Sequence, residues 1–431
     1  MPHLNVSRRN LMQATALGAG AAVALTDQAI AAPKGKSAIV IGSGFGGAVA
    51  AFRLGQAGFS TTVLERGDIG EVTETKGEGL SVLNAAGLGG GSSLGTFSLA
   101  QPRRAEWQDA YPAEVSYDLM DSTYWPRARK NLGAKVSKAK GGWREDVAAF
   151  SGGQADIPFS STGLDQTYLA WAQATGNVAL LANHEVTEIH EMANGFEVRC
   201  HDKTFRADYL FMAAGAVHTT SLLVTAREQG WLPKLRAAAG QGFGNNGDFF
   251  LARLNVRHDA GDDVALYDDG NPFAKAAMTL APAKLPAWAG RAAAHVVTSM
   301  APERGEIRFN RETSSASVYW PYGVMETKGE KAAQDLATRL WWEAGGRKGK
   351  LLSGLPSYDR EAGLGAATTW HPLGGMVMGQ STDFSGRSLD YANLYCVDGS
   401  VLPGTSSLGS PALIITANAE RCLDLFLAQH A

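Results

Sequence analysis

The spacing of apolar and polar positions changes several times along the chain. Residues 38–41 (AIVI) form a short, largely β-branched run that predicts a buried strand, and the next apolar positions, Ala48, Ala51, Phe52 and Gly55, fall on one face of a helix. A second strand is predicted over residues 61–64, ending at Glu65. Farther on, HEVTEIHEM and GFEVRC alternate with period two, as the arms of a hairpin do. YLFMA at 209–213 reads as another buried strand, followed by a small-residue turn at 214–216 and a helix beginning near Thr219. NLYCVDG predicts a strand that stops at Asp398 and Gly399, and the last helix has apolar positions at Leu413, Ala417, Ala419 and Leu423. FFLARLNVR, GEIRFN and SASVYWPYG read as strands of one sheet, with EKAAQDLATRLWWEAG as a helix covering a face of it.

The first 32 residues follow a different rule. SRRNLM contains the pair Arg8 and Arg9, a Gly/Ala-rich apolar run spans residues 14–25, and AIA at 29–31 has the small residues of a cleavage site. The run is shorter than the roughly 20 apolar residues of a membrane-spanning helix. The expectation is a twin-arginine signal, a periplasmic or secreted protein handed over by the twin-arginine export machinery, and no stable membrane insertion. That machinery moves folded proteins, which suits a chain that acquires a cofactor before export.

Composition narrows the choice further. With 431 residues, 45% hydrophobic and 19% charged, the chain is globular and long enough for two domains. Its 51 glycines point to many tight turns and close backbone approaches. The net charge of -3 comes with no basic concentration, which argues against a nucleic-acid partner. Cys200, Cys396 and Cys422 show no CxxC spacing and the nine histidines no HExxH, so no metal is expected.

The glycines after the first strand carry chemistry. Gly42, Gly44 and Gly47 have the GxGxxG spacing, in which the first permits the turn, the second lets backbone amides approach a pyrophosphate, and the third allows close packing of helix on strand. The helix amino terminus favours the phosphates, and Glu65 can accept hydrogen bonds from ribose hydroxyls. The motif alone fits NAD or FAD, and its place just after the leader favours FAD. A second cluster, NAAGLGGGSSLG at 84–95, is too glycine-rich for a regular element and reads as a loop able to lie along a planar or phosphorylated ligand. Near the carboxyl end, His371 is the one titratable side chain in TTWHPLGGMVMG.

Together, VIGSGFGGAVAAFRLGQAGFSTTVLERG, GLGGGSSL, ADYLFMAAGAVHTTSLLVTAREQGWLPKL, GQGFGNNG, APERGEIRFN, HPLGGMVMGQSTDFSGRSLDYANLYCVDGSVLPG and PALIITANAER resemble, in order, the glucose/methanol/choline (GMC) flavin oxidoreductases, and among them the bacterial cholesterol oxidases with non-covalent FAD. The resemblance implies FAD contacts at Gly42, Gly44, Gly47 and Glu65, at Gly89, Gly90, Gly91 and Ser92, at Val186, and at Asp398 and Gly399. Phe45, Gly46, Ala214, Gly215 and Pro411 join the same cofactor-binding set. It also implies that His371 is the active-site histidine beside the flavin. Imidazole suits that role because its pKa lies nearest to working pH, while the cofactor takes the hydride.

The pattern breaks in places. Ser410 stands where the family has asparagine or histidine; as a catalytic residue it has a shorter reach. Residues 283–300 contain no acidic residue where cholesterol oxidases carry the glutamate of double-bond isomerisation, so simple alcohol oxidation is expected. Gly95 stands at a flavin-edge asparagine position, and the segments before residue 160 and over 251–287 are shortened, which implies a smaller lid.

The resulting expectation is an α/β protein with a doubly wound, Rossmann-like FAD-binding domain, discontinuous over 34–112, 160–250 and 365–431. An α+β substrate domain containing an antiparallel sheet would come from 113–159 and 251–364, with Trp320, Trp341, Trp342 and Trp370 as candidates for an apolar wall. The expected activity is oxidation of an alcohol, a secondary hydroxyl on a sterol-like or other hydrophobic substrate, with O2 as acceptor. The alternatives are a dehydrogenase serving a cytochrome or quinone, and a flavin-binding protein without catalysis.

Overall fold

A computed structural model describes residues 36–68, 70–95, 97–136, 158–253, 265–268, 276–279, 281–283, 293–322, 351–353 and 367–430. The leader, the segment 330–345 expected as a helix with Trp341 and Trp342, and the stretch 137–157 lie outside these residues.

The centre of the fold is a five-stranded parallel sheet made of β1 (Ser37–Ile41), β2 (Ser60–Leu64), β3 (Val178–Leu181), β4 (Tyr209–Met212) and β5 (Leu394–Cys396). Their order is β5-β4-β1-β2-β3, that of a doubly wound nucleotide fold. Val40 lies opposite Val63 on one side and Phe211 on the other, so β1 is apolar from Ala38 to Ile41 because both its faces are covered.

Among the described residues, the long helices on the sheet are α1 (Phe45–Gln56), α2 (Ala216–Glu228) and α3 (Pro411–His430). The α1 helix buries Ala48, Val49, Ala50, Ala51 and Leu54. A Cβ on Gly47 would stand 2.0 Å from the carbonyl oxygen of Gly42, so only glycine permits this closeness of helix and turn. The last helix is clamped to the first by charge: Arg53 meets Glu420 and Asp424 at 2.5 Å each, and Arg127 meets Asp424 at 2.8 Å. Glu420 is 1% exposed and also accepts from Tyr168 Oη at 2.7 Å, so this buried carboxylate is well partnered.

Several boundaries differ from the sequence reading. The α2 helix starts at Ala216, three residues early, because Gly215 takes φ +85° and Asp398, from beyond β5, accepts from Gly215 N and Thr219 Oγ1. The stretch at 84–95 is not irregular. Its first residues end the strand Leu80–Ala86, and Gly90–Leu94 form a 3-10 turn that Ser92 braces by donating to Gly89 O at 2.8 Å. Gly305–Asn310 and Ser315–Tyr319 pair antiparallel as expected, joined by Gln241–Phe243. Phe249–Arg253 belongs to a different sheet, with Ala293–Val297 and Leu351–Ser353, because the turn at 245–248 redirects the chain. A small second core of Leu80, Val82, Val217, Phe243, Ile307, Val318 and Trp320 fills the space under the first of these sheets.

Candidate functional site

The carboxyl ends of β1, β2 and β4 open into one cavity of about 1080 Å³, which continues past the start of α3. Gly42, Gly44, Phe45 and Gly46 from the first turn, Glu65 and Arg66 after β2, Val186, and Ala214 and Gly215 after β4 line one part of it. Gly90 and Gly91, Asp398 and Gly399, His371, and Ser410 and Pro411 line the rest. The cavity therefore gathers residues from nearly the whole length of the chain.

Its dinucleotide end is built from the backbone. The amino terminus of α1 has no side-chain cap, which leaves its amides and the helix dipole for an anion. Glu65 is 7% exposed and fixed in place by Ser43 N at 3.0 Å and Ser43 Oγ at 2.8 Å. Arg66 is the one Lys or Arg side chain on the cavity wall among the described residues. Its guanidinium lies 3.0 Å from His218 Nε2 and donates to Thr73 Oγ1 at 2.8 Å. Burial, and then the Arg66 charge, hold the His218 pKa down to about 4, so at neutral pH the ring is uncharged and accepts from Arg66. Asp398 is fully buried; burial raises its pKa, and the hydrogen bonds from Ser400, Thr219 and Gly215 oppose the rise. These groups fit FAD: free amides and one cation for a diphosphate, and a fixed carboxylate for ribose hydroxyls.

Three residues expected at the cofactor do not line the cavity. Gly47 serves the packing of α1 on the first turn, Gly89 takes φ +84° ahead of the 3-10 turn, and the Ser92 hydroxyl is held by Gly89 O and Leu164 N. Their glycine and serine types reflect chain geometry, which a motif cannot separate from ligand contact. Trp320 is 2% exposed in the second core, whereas Trp370 does line the cavity.

Gly44 lends itself to a direct test, because a Cβ there meets nothing within 4 Å and its φ is -66°. Gly44→Ala therefore keeps the apo-protein's melting temperature but places a methyl group in the cradle. The expected FAD dissociation constant rises at least about tenfold in a fluorescence titration, a cost of about 1.4 kcal/mol; an unchanged constant removes Gly44 from the cofactor site.

On the wall of the same cavity His371 is presented by the strand Ala367–Thr369, which lies parallel to Leu80–Ala86. Its ring is 33% exposed, and Nδ1 lies 3.1 Å from Oδ1 of Asp248. Asp248 has no exposed side-chain surface, and its Oδ2 accepts from Trp370 N at 3.0 Å and His371 N at 3.1 Å. Sequence reasoning missed Asp248. GQGFGNNGD looks like a glycine-rich turn, and its one carboxylate is 123 positions from the histidine. Ser410 lines the cavity but donates its hydroxyl proton to Ser98 O, so toward a ligand it acts as an acceptor. Leu94, Phe97, Phe159 and Trp370 add apolar surface to the wall of the same cavity.

Comparison with known proteins agrees with this geometry. A GMC oxidoreductase family model matches residues 325–419, and an NAD(P)-binding Rossmann-like domain model matches residues 40–72. A cholesterol oxidase from Acinetobacter baumannii is 21% identical over 529 residues, covering 91% of this chain and 94% of its own. The crystal structure of pyridoxine 4-oxidase from Mesorbium loti superposes with a TM-score of 0.70 at 15% identity, covering 92% of this chain and all of that one. With the cradle and His371 on the wall of one cavity, these matches show that the chain is similar to the GMC oxidoreductases, FAD-dependent enzymes acting on CH–OH groups.

Proposed function

We propose that the protein oxidises a secondary hydroxyl of a hydrophobic, sterol-like molecule to a ketone, with His371 as the proton acceptor. The single observation that carries this reading is the position of His371: a partly exposed imidazole on the wall of the same cavity as the nucleotide cradle. FAD, held by the α1 amides, Glu65 and Arg66, supplies the hydride acceptor. The protein's own part is to orient the alcohol and take its hydroxyl proton on a ring nitrogen of His371, so that the carbinol carbon becomes a carbonyl carbon. Leu94, Phe97, Phe159 and Trp370 favour an apolar substrate body, and likeness to a cholesterol oxidase points the same way. The absence of any acidic residue at 283–300 favours oxidation without double-bond isomerisation.

An anaerobic screen tests the reading. Sterols and other apolar secondary alcohols are expected to bleach the flavin, and polar sugars to leave it oxidised. Bleaching by sugars alone would overturn the substrate class. Hydrogen peroxide measured against dye reduction then decides between oxygen and a protein or quinone acceptor.

A further inference from the structure

The loop at 245–248 has more structure than a turn requires. Asn246 and Gly247 both take positive φ, +58° and +63°, and a Cβ on Gly247 would stand 2.3 Å from Ser299 Oγ. Asn245 Oδ1 accepts from Gly247 N at 2.9 Å, and Asp248 N donates to Asn245 O at 3.1 Å. Asn246 Oδ1 accepts from Ser406 N at 2.8 Å and Ser406 Oγ at 3.0 Å, which ties the loop to the segment that carries Ser410. A strained, cross-braced loop of this kind has one evident product: a carboxylate, shielded from solvent, placed against His371 Nδ1.

We infer that Asp248 is a positioning residue that holds His371 in the tautomer with the proton on Nδ1, so that Nε2 takes the substrate's hydroxyl proton. This rests on the function proposed above. Trp370 N and His371 N bind Oδ2, and Thr369 Oγ1 lies 2.8 Å from the same oxygen. These contacts fix the carboxylate's orientation independently of the imidazole. Because Asp248 is an acceptor, Nδ1 is the nitrogen that donates, and the neutral ring keeps its lone pair on Nε2. When the hydroxyl proton reaches Nε2 the ring becomes an imidazolium, and the adjacent carboxylate stabilises that charge. The proton moves from substrate oxygen to Nε2, and none is transferred to Asp248.

The electrostatic surroundings leave this task to Asp248 among the described residues. The strand Leu80–Ala86, alongside the histidine's own strand, has no titratable side chain. The segment after β5 brings Asp398, whose carboxylate is turned onto Gly215, Thr219 and Ser400. Glu65 and Arg66, on the same cavity, are engaged by Ser43 and by His218.

Two measurements test the inference. In the wild-type holoprotein labelled with 15N-histidine, the His371 signals, assigned by their loss in His371→Asn, are expected to show a protonated Nδ1 and a pyridine-like Nε2. The opposite tautomer would overturn the inference even if no variant of Asp248 folds. In stopped-flow reduction, Asp248→Asn is expected to keep bound FAD and lower the plateau rate roughly tenfold or more. The acid limb of its pH profile moves to lower pH, because the imidazole loses its anionic neighbour. An unchanged plateau and limb in Asp248→Asn would equally overturn it. If no alcohol reduces the wild-type flavin, the proposed function fails, whereas the tautomer measurement still decides the role of Asp248.

Discussion

Replacing His371 by asparagine leaves FAD bound and slows reduction of the flavin by at least about a hundredfold, or about 2.7 kcal/mol in the barrier. Asparagine is polar and close in size, so the cavity wall keeps its shape. Its amide has no basic lone pair that can take a proton near neutral pH. The cradle residues Gly42, Gly44 and Glu65 come from other segments, so cofactor affinity is expected to stay close to wild type. The measurement is a single-turnover reduction under anaerobic conditions, with the bound flavin counted by its visible absorbance. A variant that reduces its flavin at the wild-type rate would show that the proton leaves by another route, and the proposed chemistry would fall with it.

The second large effect is on folding. Gly47→Ala forces a methyl carbon against Gly42 O at 2.0 Å, Gly42 C at 2.9 Å and Ala213 Cβ at 3.1 Å. None of these can retreat easily: Gly42 N donates to Leu64 O and Ala213 N to Ile41 O, both at 2.8 Å, so the obstacle is anchored in the sheet. The α1 helix has to lift away, which loosens its buried alanines and displaces the amides that face the cofactor. A cost of about 3 kcal/mol or more is expected, in the range of severe overpacking. The variant should melt well below wild type and purify without yellow colour. A stable, yellow Gly47→Ala protein would show that the helix sits farther from the strand than described. Set beside Gly44→Ala, it separates a glycine that the fold needs from one that the cofactor needs.

What the sequence made legible was local. The turn at 42–47, the strand before it and Glu65 after it lie within thirty residues, and each residue type has a reason that neighbouring positions supply. His371 became legible through resemblance, since its surroundings in sequence are apolar and say nothing of a partner. Asp248 stayed hidden because aspartate after asparagine and glycine is also what an ordinary turn uses. Its function appears only when the strand Ala367–Thr369 comes alongside. The strand Phe249–Arg253 was recognised, but its partners were not, because pairing is set by chain reversals many residues away. Gly89 and Ser92, expected at the ligand from resemblance, also brace the turn they belong to, a role the motif does not reveal.

The order of strands has a consequence for assembly. The edge strand β5, the Asp398 carboxylate that secures the start of α2, and the clamp from Glu420 to Arg53 all come from residues 394–420. Until that segment docks, the nucleotide-binding turn at 42–47 lacks part of its walls, because Asp398 and Gly399 line the same cavity. Completion of the cradle is therefore a long-range event, decided by contacts across more than three hundred positions.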